Sequence, residues 1–319
     1  MGFYDIFNGD ADGLCALLQL RLDEPRASTL VTGVKRDTAL VARVGAGAGD
    51  EVTVLDCAFG RNRDAVGQAL GRGARVRYFD HHEPGPVPEH PNLRAIIDTA
   101  PDVCTSLLVD RYLDGRQRAW AVVGAFGDNL AAAAGQAAAR LQLAPERIAL
   151  LRALGECLNY NAYGERIEDL HYHPADLFLT LRRYSDPYEF IVGEPVLDIL
   201  RDAMADDLYR AGELAAAAEG GGWAAYVLPD APWARRVSGP FANRLAQEAP
   251  ERALAVLTER DGGYTVSVRA PMAAPAGAAG LCEQFGGGGR AGAGGVNLLP
   301  RSDFDRFVAA LRAAYERGH

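Results

Sequence analysis

Short apolar runs separated by polar turns dominate the first part of the chain. Residues 4–7, 52–55, 76–79 and 121–124 are compact and rich in Val, Ile, Phe and Ala. Each reads as a buried parallel strand. Helical periodicity follows at 13–22, 63–70 and 105–113. This βαβα rhythm predicts an α/β domain with a parallel sheet. From about residue 130 to 184 the pattern turns mostly helical, interrupted at Pro174 and Pro187. One more helix is expected over 194–219, ending at Gly220-Gly221-Gly222, which reads as a stop and a hinge. A second unit begins near Trp223. Strands are expected at 224–228, 253–257, 264–268 and 296–299, and helices at 240–249 and 279–284. Ser302, with Asp305 three residues on, reads as the capping box of a last helix. The expected organisation is a catalytic domain over 1–190, a linker over 191–222 and a smaller α/β domain over 223–319, with an active-site cleft between the lobes.

Composition narrows the classes. At 319 residues the chain suffices for two domains. Its formal charge of −9 makes a long nucleic acid, gripped along its backbone, a less favoured partner. From Arg235 onward 11 arginines face 8 acidic residues, so this part suits a phosphate-bearing ligand better than the rest does. Lys35 is the sole lysine among 33 basic residues, which reads as the bias of a GC-rich genome. Five cysteines lack CxxC spacing, and with the first strand starting almost at Met1 no leader is expected. Buried free thiols in a reducing cytoplasm are therefore expected. No apolar run approaches the ~20 residues of a membrane helix, so no membrane partner is expected. A homodimer is compatible with the sequence, which does not fix oligomeric state.

Chemistry enters where the apolar runs end. Asn8-Gly9-Asp10-Ala11-Asp12-Gly13, Leu55-Asp56-Cys57, Phe79-Asp80-His81-His82 and Gly127-Asp128-Asn129 each follow one of the four runs. In an open α/β sheet, ligands bind at the carboxyl ends of the strands. Four segments would thus deliver carboxylates and imidazoles to one sheet edge. Hard oxygen donors mixed with imidazole suit Mn²⁺ or Mg²⁺ better than Zn²⁺. Two such ions ~3.5–4 Å apart can activate a water and clamp a phosphoryl group.

These motifs, in this order, resemble those of the DHH phosphoesterases, a family named for the triplet seen here as Asp80-His81-His82. Asp10-Ala11-Asp12-Gly13 is similar to the family's first motif, Asp56 to its second and Gly127-Asp128 to its fourth. The C-terminal unit resembles the DHH-associated domain. Ser267-Val268-Arg269 is similar to its Ser-x-Arg strand, and the run from Gly287-Gly288-Gly289-Arg290 to Gly295 to its GGGHxxAxG loop. The resemblance implies two Mn²⁺ ions bridged by Asp56. Asp12, His81 and Asp128 would complete one shell, and Asp10 would bind the other ion. His82 would face the substrate phosphate, and Asp80 would orient the neighbouring imidazole. The candidate positions for the family's further His or Asp ligand hold Asn8 and Ile6; Asn8 offers only an uncharged amide oxygen, so the first ion would be loosely held, or absent without substrate. Arg290 replaces the family's His; arginine keeps phosphate capture but not proton transfer. Ser267, Arg269, Arg290 and the amides of Gly287, Gly288 and Gly289 would bind substrate. That loop is no Rossmann or P-loop fingerprint, because it runs helix, loop, strand.

The implied activity is hydrolysis of a phosphoester by a metal-activated water. The acidic balance favours a short oligonucleotide or a small, cyclic or linear, nucleotide. A single-strand exonuclease and a non-catalytic nucleotide-binding or regulatory protein remain as alternatives. Asn159 to Gly164 and His171-Tyr172-His173 read mainly as packing of the helical segment. Thr105-Ser106 reads equally as a helix cap or as a donor to phosphate.

Overall fold

The computed structural model describes residues 1–316. It forms two compact units, one spanning Met1–Asp202 and the other beginning at Ala203. The first unit runs β1 (Phe3–Phe7), α1 (Ala11–Asp23), β2 (Thr29–Val31), β3 (Glu51–Leu55), α2 (Phe59–Gly71), β4 (Arg75–Asp80) and β5 (Leu93–Ile97). It continues with α3 (Thr105–Tyr112), α4 (Arg118–Gly127), α5 (Ala131–Ala139), α6 (Pro145–Ala162), α7 (Pro174–Leu181) and α8 (Pro187–Gly193). Its sheet has the order β2-β1-β3-β4-β5, and every pairing is parallel. The expected α/β class with a parallel sheet is what the chain adopts. Pro174 and Pro187 open helices instead of breaking one, since the first helical position needs no N–H donor.

Two polar features hold this sheet in place. Asp5 is buried in the middle of β1, yet it accepts from Arg21 Nε at 2.7 Å, Arg21 Nη2 at 2.5 Å and Ser28 Oγ at 2.6 Å. A buried charge is tolerated only with such complete pairing. Asn62 of α2 donates to the Thr38 carbonyl at 2.6 Å and accepts from Val41 N, fixing the irregular segment that precedes β3.

Residues 121–124 are not a strand. They lie in α4, where every residue from Trp120 to Gly127 is buried. A short apolar run does not separate a buried strand from a helix buried all round. Glycine sets how closely α4 approaches its neighbours. A Cβ on Gly127 would lie 2.3 Å from Ala11 Cβ and 2.7 Å from the Gly155 carbonyl oxygen. This contact brings the end of α4 against the start of α1, with consequences for the site.

The division between units falls within α9 (Val196–Gly212). The second unit then runs β6 (Ala218–Gly220), β7 (Trp223–Leu228), α10 (Pro232–Glu248), β8 (Ala253–Arg260), β9 (Gly263–Arg269), α11 (Ala278–Glu283), β10 (Gly288–Arg290), β11 (Ala293–Pro300) and α12 (Phe304–Tyr315). Its mixed sheet has the order β10-β11-β9-β8-β7-β6. The pairing of β7 with β8 is parallel and the others are antiparallel. Leu257, Val266, Val268, Leu281, Phe307 and Leu311 belong to its core.

Three expectations are corrected here. The helix expected to reach 219 stops at Gly212, and Ala218–Gly220 pairs with β7 as a strand, so Gly220-Gly221-Gly222 serves a hairpin turn. The glycine run after α11 is largely a second hairpin, β10–β11, in which Gly289 has φ 153° and pairs with Gly294. A Cβ on Gly289 would lie 2.3 Å from the Ala293 carbonyl oxygen, so glycine is needed for the strands to meet. Ser302 forms no capping box: it lies in a 3₁₀ turn, and α12 begins at Phe304 without a side-chain cap. Among the described residues, no helix is long and apolar enough to cross a membrane.

Candidate metal centre

The sheet order places a topological switch between β1 and β3, where ligands bind in doubly wound folds. Asp10 and Asp12 follow β1, and Asp56 follows β3. Asp10 caps α1: its Oδ1 accepts from Asp12 N at 3.1 Å and Gly13 N at 3.0 Å. The cap turns the chain so that Asp12 points across to the start of α3. There Thr105 N and Ser106 N each donate to one Asp12 oxygen at 2.7 Å. A helix N-terminus is a natural seat for a carboxylate. Asp56 adopts φ 57°, a left-handed turn that Asp and Asn tolerate best. The turn directs its carboxylate inward, where Oδ1 accepts from the Thr105 hydroxyl at 3.2 Å.

Asp128 arrives from the C-terminal end of α4, not from a strand. The Gly127 contact with Ala11 seats it beside Asp12. His81 Nε2 lies 3.4 Å from Asp56 Oδ1 and 3.8 Å from Asp128 Oδ2. Donor atoms of Asp12, His81 and Asp128 lie within 4.8 Å of one another, as do those of Asp56, His81 and His82. Four expected ligands, Asp12, Asp56, His81 and Asp128, are thus brought together.

Asp80 is fully buried. Its Oδ2 accepts from Phe59 N at 2.8 Å, and its Oδ1 accepts from His81 N at 2.9 Å and His82 N at 3.2 Å. The same oxygen lies 2.7 Å from His82 Nδ1. The carboxylate therefore orients the ring of His82, whereas the sequence suggested that of His81. Burial lowers the basicity of His82, but the Asp80 contact outweighs it and raises its pKa.

Asn8 does not present a free amide oxygen. Its Oδ1 accepts from Asp10 N at 3.3 Å and its Nδ2 donates to the Lys35 carbonyl at 3.1 Å. Lys35 itself is the residue that sequence reasoning passed over. Its ammonium pairs with Asp10 Oδ2, donates to Asn159 Oδ1 at 3.0 Å and lies 3.8 Å from Asp128 Oδ1. The retention of a single lysine in an arginine-rich chain was its only signal. Asn159, read as packing, belongs to this contact. Asn161 exchanges hydrogen bonds with the backbone of Tyr172, His171 Nε2 lies 2.9 Å from Tyr160 Oη, and His173 caps α7.

The electrostatics are those of a site short of positive charge. Burial and the neighbouring Asp10, Asp12 and Asp128 push the Asp56 carboxyl well up. Burial and Asp12 push Asp128 up to about 6. Burial would raise Asp10 as well, but Lys35 overrides it and holds its carboxyl down. Carboxylates crowded on one imidazole, with oxygen donors in the majority, fit Mn²⁺ or Mg²⁺.

In the second unit, the register aligns Arg269 with Ala293, and Ala293 with Arg290. Paired residues share a face, so both arginines flank a small alanine, roughly 10 Å apart across two strand spacings. Ser267 lies on the same face as Arg269, opposite the buried Val266 and Val268. Arg269 Nε donates to Asn243 Oδ1 at 2.8 Å. Arg290 and Gly289 are exposed, and Gly287 and Gly288 half-buried.

Solved structures decide the fold. RecJ from Thermus thermophilus, determined with Mn²⁺, matches 98% of this chain with a TM-score of 0.60 and 18% identity. The chain has the DHH phosphoesterase fold. It spans about half of that RecJ chain, 51%. The pGpG-specific phosphodiesterase PggH from Vibrio cholerae matches over 98% of this chain and 100% of its own, with a TM-score of 0.55 and 14% identity. An exopolyphosphatase-related protein from Bacteroides fragilis matches over 98% and 90%, with a TM-score of 0.51 and 13% identity. No family model matches the sequence, and no curated protein does.

Proposed function

We propose that this DHH-fold protein is a metal-dependent phosphoesterase acting on a short oligonucleotide or a small, cyclic or linear, nucleotide. The convergence of Asp12, Asp56, His81 and Asp128 at the sheet's switch point carries the reading. Mn²⁺ or Mg²⁺ held by these residues would supply Lewis acidity to a phosphoryl oxygen and lower the pKa of water. Thr105 and Ser106 hold the Asp12 carboxylate through backbone N–H groups, so its direction is fixed before substrate arrives. Asp80 occupies one nitrogen of His82 and leaves the other for the substrate. With its basicity raised by Asp80, that ring is suited to donate to a phosphoryl or leaving-group oxygen. Arg269 and Arg290 form a two-point platform for a phosphate in the second unit.

Substrate size is argued from charge. A long strand needs many cationic contacts, whereas the chain carries −9 overall. Similarity to PggH and to RecJ is compatible with both small and long substrates, and fold alone does not choose. The test is Mn²⁺-dependent hydrolysis of labelled di- to pentanucleotides, cyclic dinucleotides, 3′-phosphoadenosine phosphate and a long single strand. Asp56→Asn serves as control, because Asn keeps the left-handed turn. Turnover of a short or cyclic substrate, lost in the variant, is expected. Preferential degradation of the long strand would make the protein an exonuclease. Tight nucleotide binding without turnover would make it a binding protein.

A further inference from the structure

We propose that the Lys35 ammonium is the resident cation of the Asp10 side of this centre, so that the centre takes one divalent ion instead of the pair implied by the family resemblance. The inference deepens the phosphoesterase reading and rests on it.

Four observations carry it. The Lys35 side chain is enclosed by Asp10, Asn159 and Asp128, each offering an oxygen to Nζ. Its backbone is held at both ends: Lys35 N donates to the Ala162 carbonyl at 2.9 Å, and its carbonyl accepts from Asn8 Nδ2. The main chain thus fixes where the side chain starts, and Asp10 and Asn159 hold its ammonium.

Asp10 differs from Asp12 in that one of its oxygens already faces a cation. Oδ1 is taken by the two N–H groups that start α1, and Oδ2 by the ammonium. Asn8, the other candidate on this side, spends its oxygen on Asp10 N and its nitrogen on Lys35 itself. A second ion there would have to displace the ammonium from Asp10 Oδ2, and the Asn8 oxygen already accepts from Asp10 N.

The remaining donors converge on one imidazole. Both candidate ligand groups share His81. Asp128 divides its two oxygens, Oδ1 facing Lys35 and Oδ2 facing His81, so one of them would remain for an ion held beside His81.

Charge agrees. The carboxylates of Asp10, Asp12, Asp56 and Asp128 are nearly neutralised by one divalent ion and one ammonium. A second divalent ion beside the ammonium would leave the centre positive and crowd two cations at short range.

The experiment is Mn²⁺ titration of the full chain by calorimetry, paired with low-temperature electron paramagnetic resonance. Wild type is expected to saturate at a single Mn²⁺ with the hyperfine sextet of an isolated ion. Lys35→Arg, which keeps a positive charge there, should still exclude a second ion. Lys35→Ala should accept a second Mn²⁺ and show the halved hyperfine spacing of a coupled pair. Two Mn²⁺ in wild type with a coupled spectrum would overturn the proposal and leave the phosphoesterase reading intact. So would a Lys35→Ala protein that is folded by circular dichroism yet still binds a single ion. If that variant does not fold, the wild-type count decides alone. No Mn²⁺ bound to wild type would overturn both readings.

Discussion

Replacing Asp56 by Asn should abolish the thermal response to Mn²⁺ while leaving the metal-free protein at least as stable as wild type. Asp56 is buried among Asp10, Asp12 and Asp128, which already disfavour its ionised form. Each like-charge pair at contact distance costs roughly 4 kcal/mol at an effective dielectric near 20. An amide of the same shape carries no charge and so relieves this repulsion. The backbone also accepts the change, because Asn is as content as Asp at φ 57°. Ala is not: its left-handed strain costs about 1–2 kcal/mol. Metal binding works in the other direction. An ion at a concentration of about 100 Kd stabilises the folded state by about 2.7 kcal/mol. For a unit of about 200 residues that raises Tm by about 5–10 °C. Scanning fluorimetry in EDTA and in saturating Mn²⁺ reads both effects. Wild type should show the full shift. Asp56→Asn should show almost none, from an EDTA baseline equal to or above that of wild type. Asp56→Ala should also lose the shift, but from a baseline a few degrees lower. A full Mn²⁺ shift in Asp56→Asn would refute Asp56 as a ligand. An Asn baseline well below wild type would refute the account of the crowded carboxylates.

Three further outcomes follow from the same geometry. Arg21→Met strands the buried Asp5 carboxylate and should cost about 3–5 kcal/mol by urea denaturation; the Asp5→Leu, Arg21→Met double variant should recover most of it, and equal losses in both would defeat the pairing argument. All five cysteines are buried, with Cys157 pushed up to about 12 and Cys282 to about 11 chiefly by burial, so native protein should show no fast-reacting thiol towards a disulfide reagent and five after denaturation. Burial alone would raise Glu24, but Arg77 outweighs it and holds its carboxyl below the ordinary 4.5; its contribution is then present above that value and lost as pH falls through the lowered one, so Glu24→Gln should flatten the acid limb of the stability profile.

What the sequence disclosed and what it hid divide along a physical line. The strands at 4–7, 52–55 and 76–79 were legible because a buried parallel strand writes its own apolar run and ends where chemistry begins. The carboxylates at their ends were legible for the same reason, and the sheet's switch point gathers them. Asp128 was placed beside Asp12 and His81, where the structure has it, but on the wrong element, because the run before it is buried on all sides and has no face to betray its period. The glycine run looked like a loop because glycine erases side-chain alternation, the only sign that a hairpin could have given. Lys35 was hidden most deeply. It lies in an irregular segment after β2, and its position depends on the end of α6 and the side chain of Asn8, more than 120 and almost 30 positions away in the chain respectively. Pattern reading follows neighbours along the chain, and this site is completed by contacts that cross it. The sequence had nonetheless left one mark. In a chain that uses arginine for every other basic position, a lysine is kept where a compact ammonium fits between two carboxylates and an amide, and where a planar guanidinium would present its charge over a wider area. Single-residue anomalies of this kind carry functional information that periodicity cannot, and composition bias is what makes them visible.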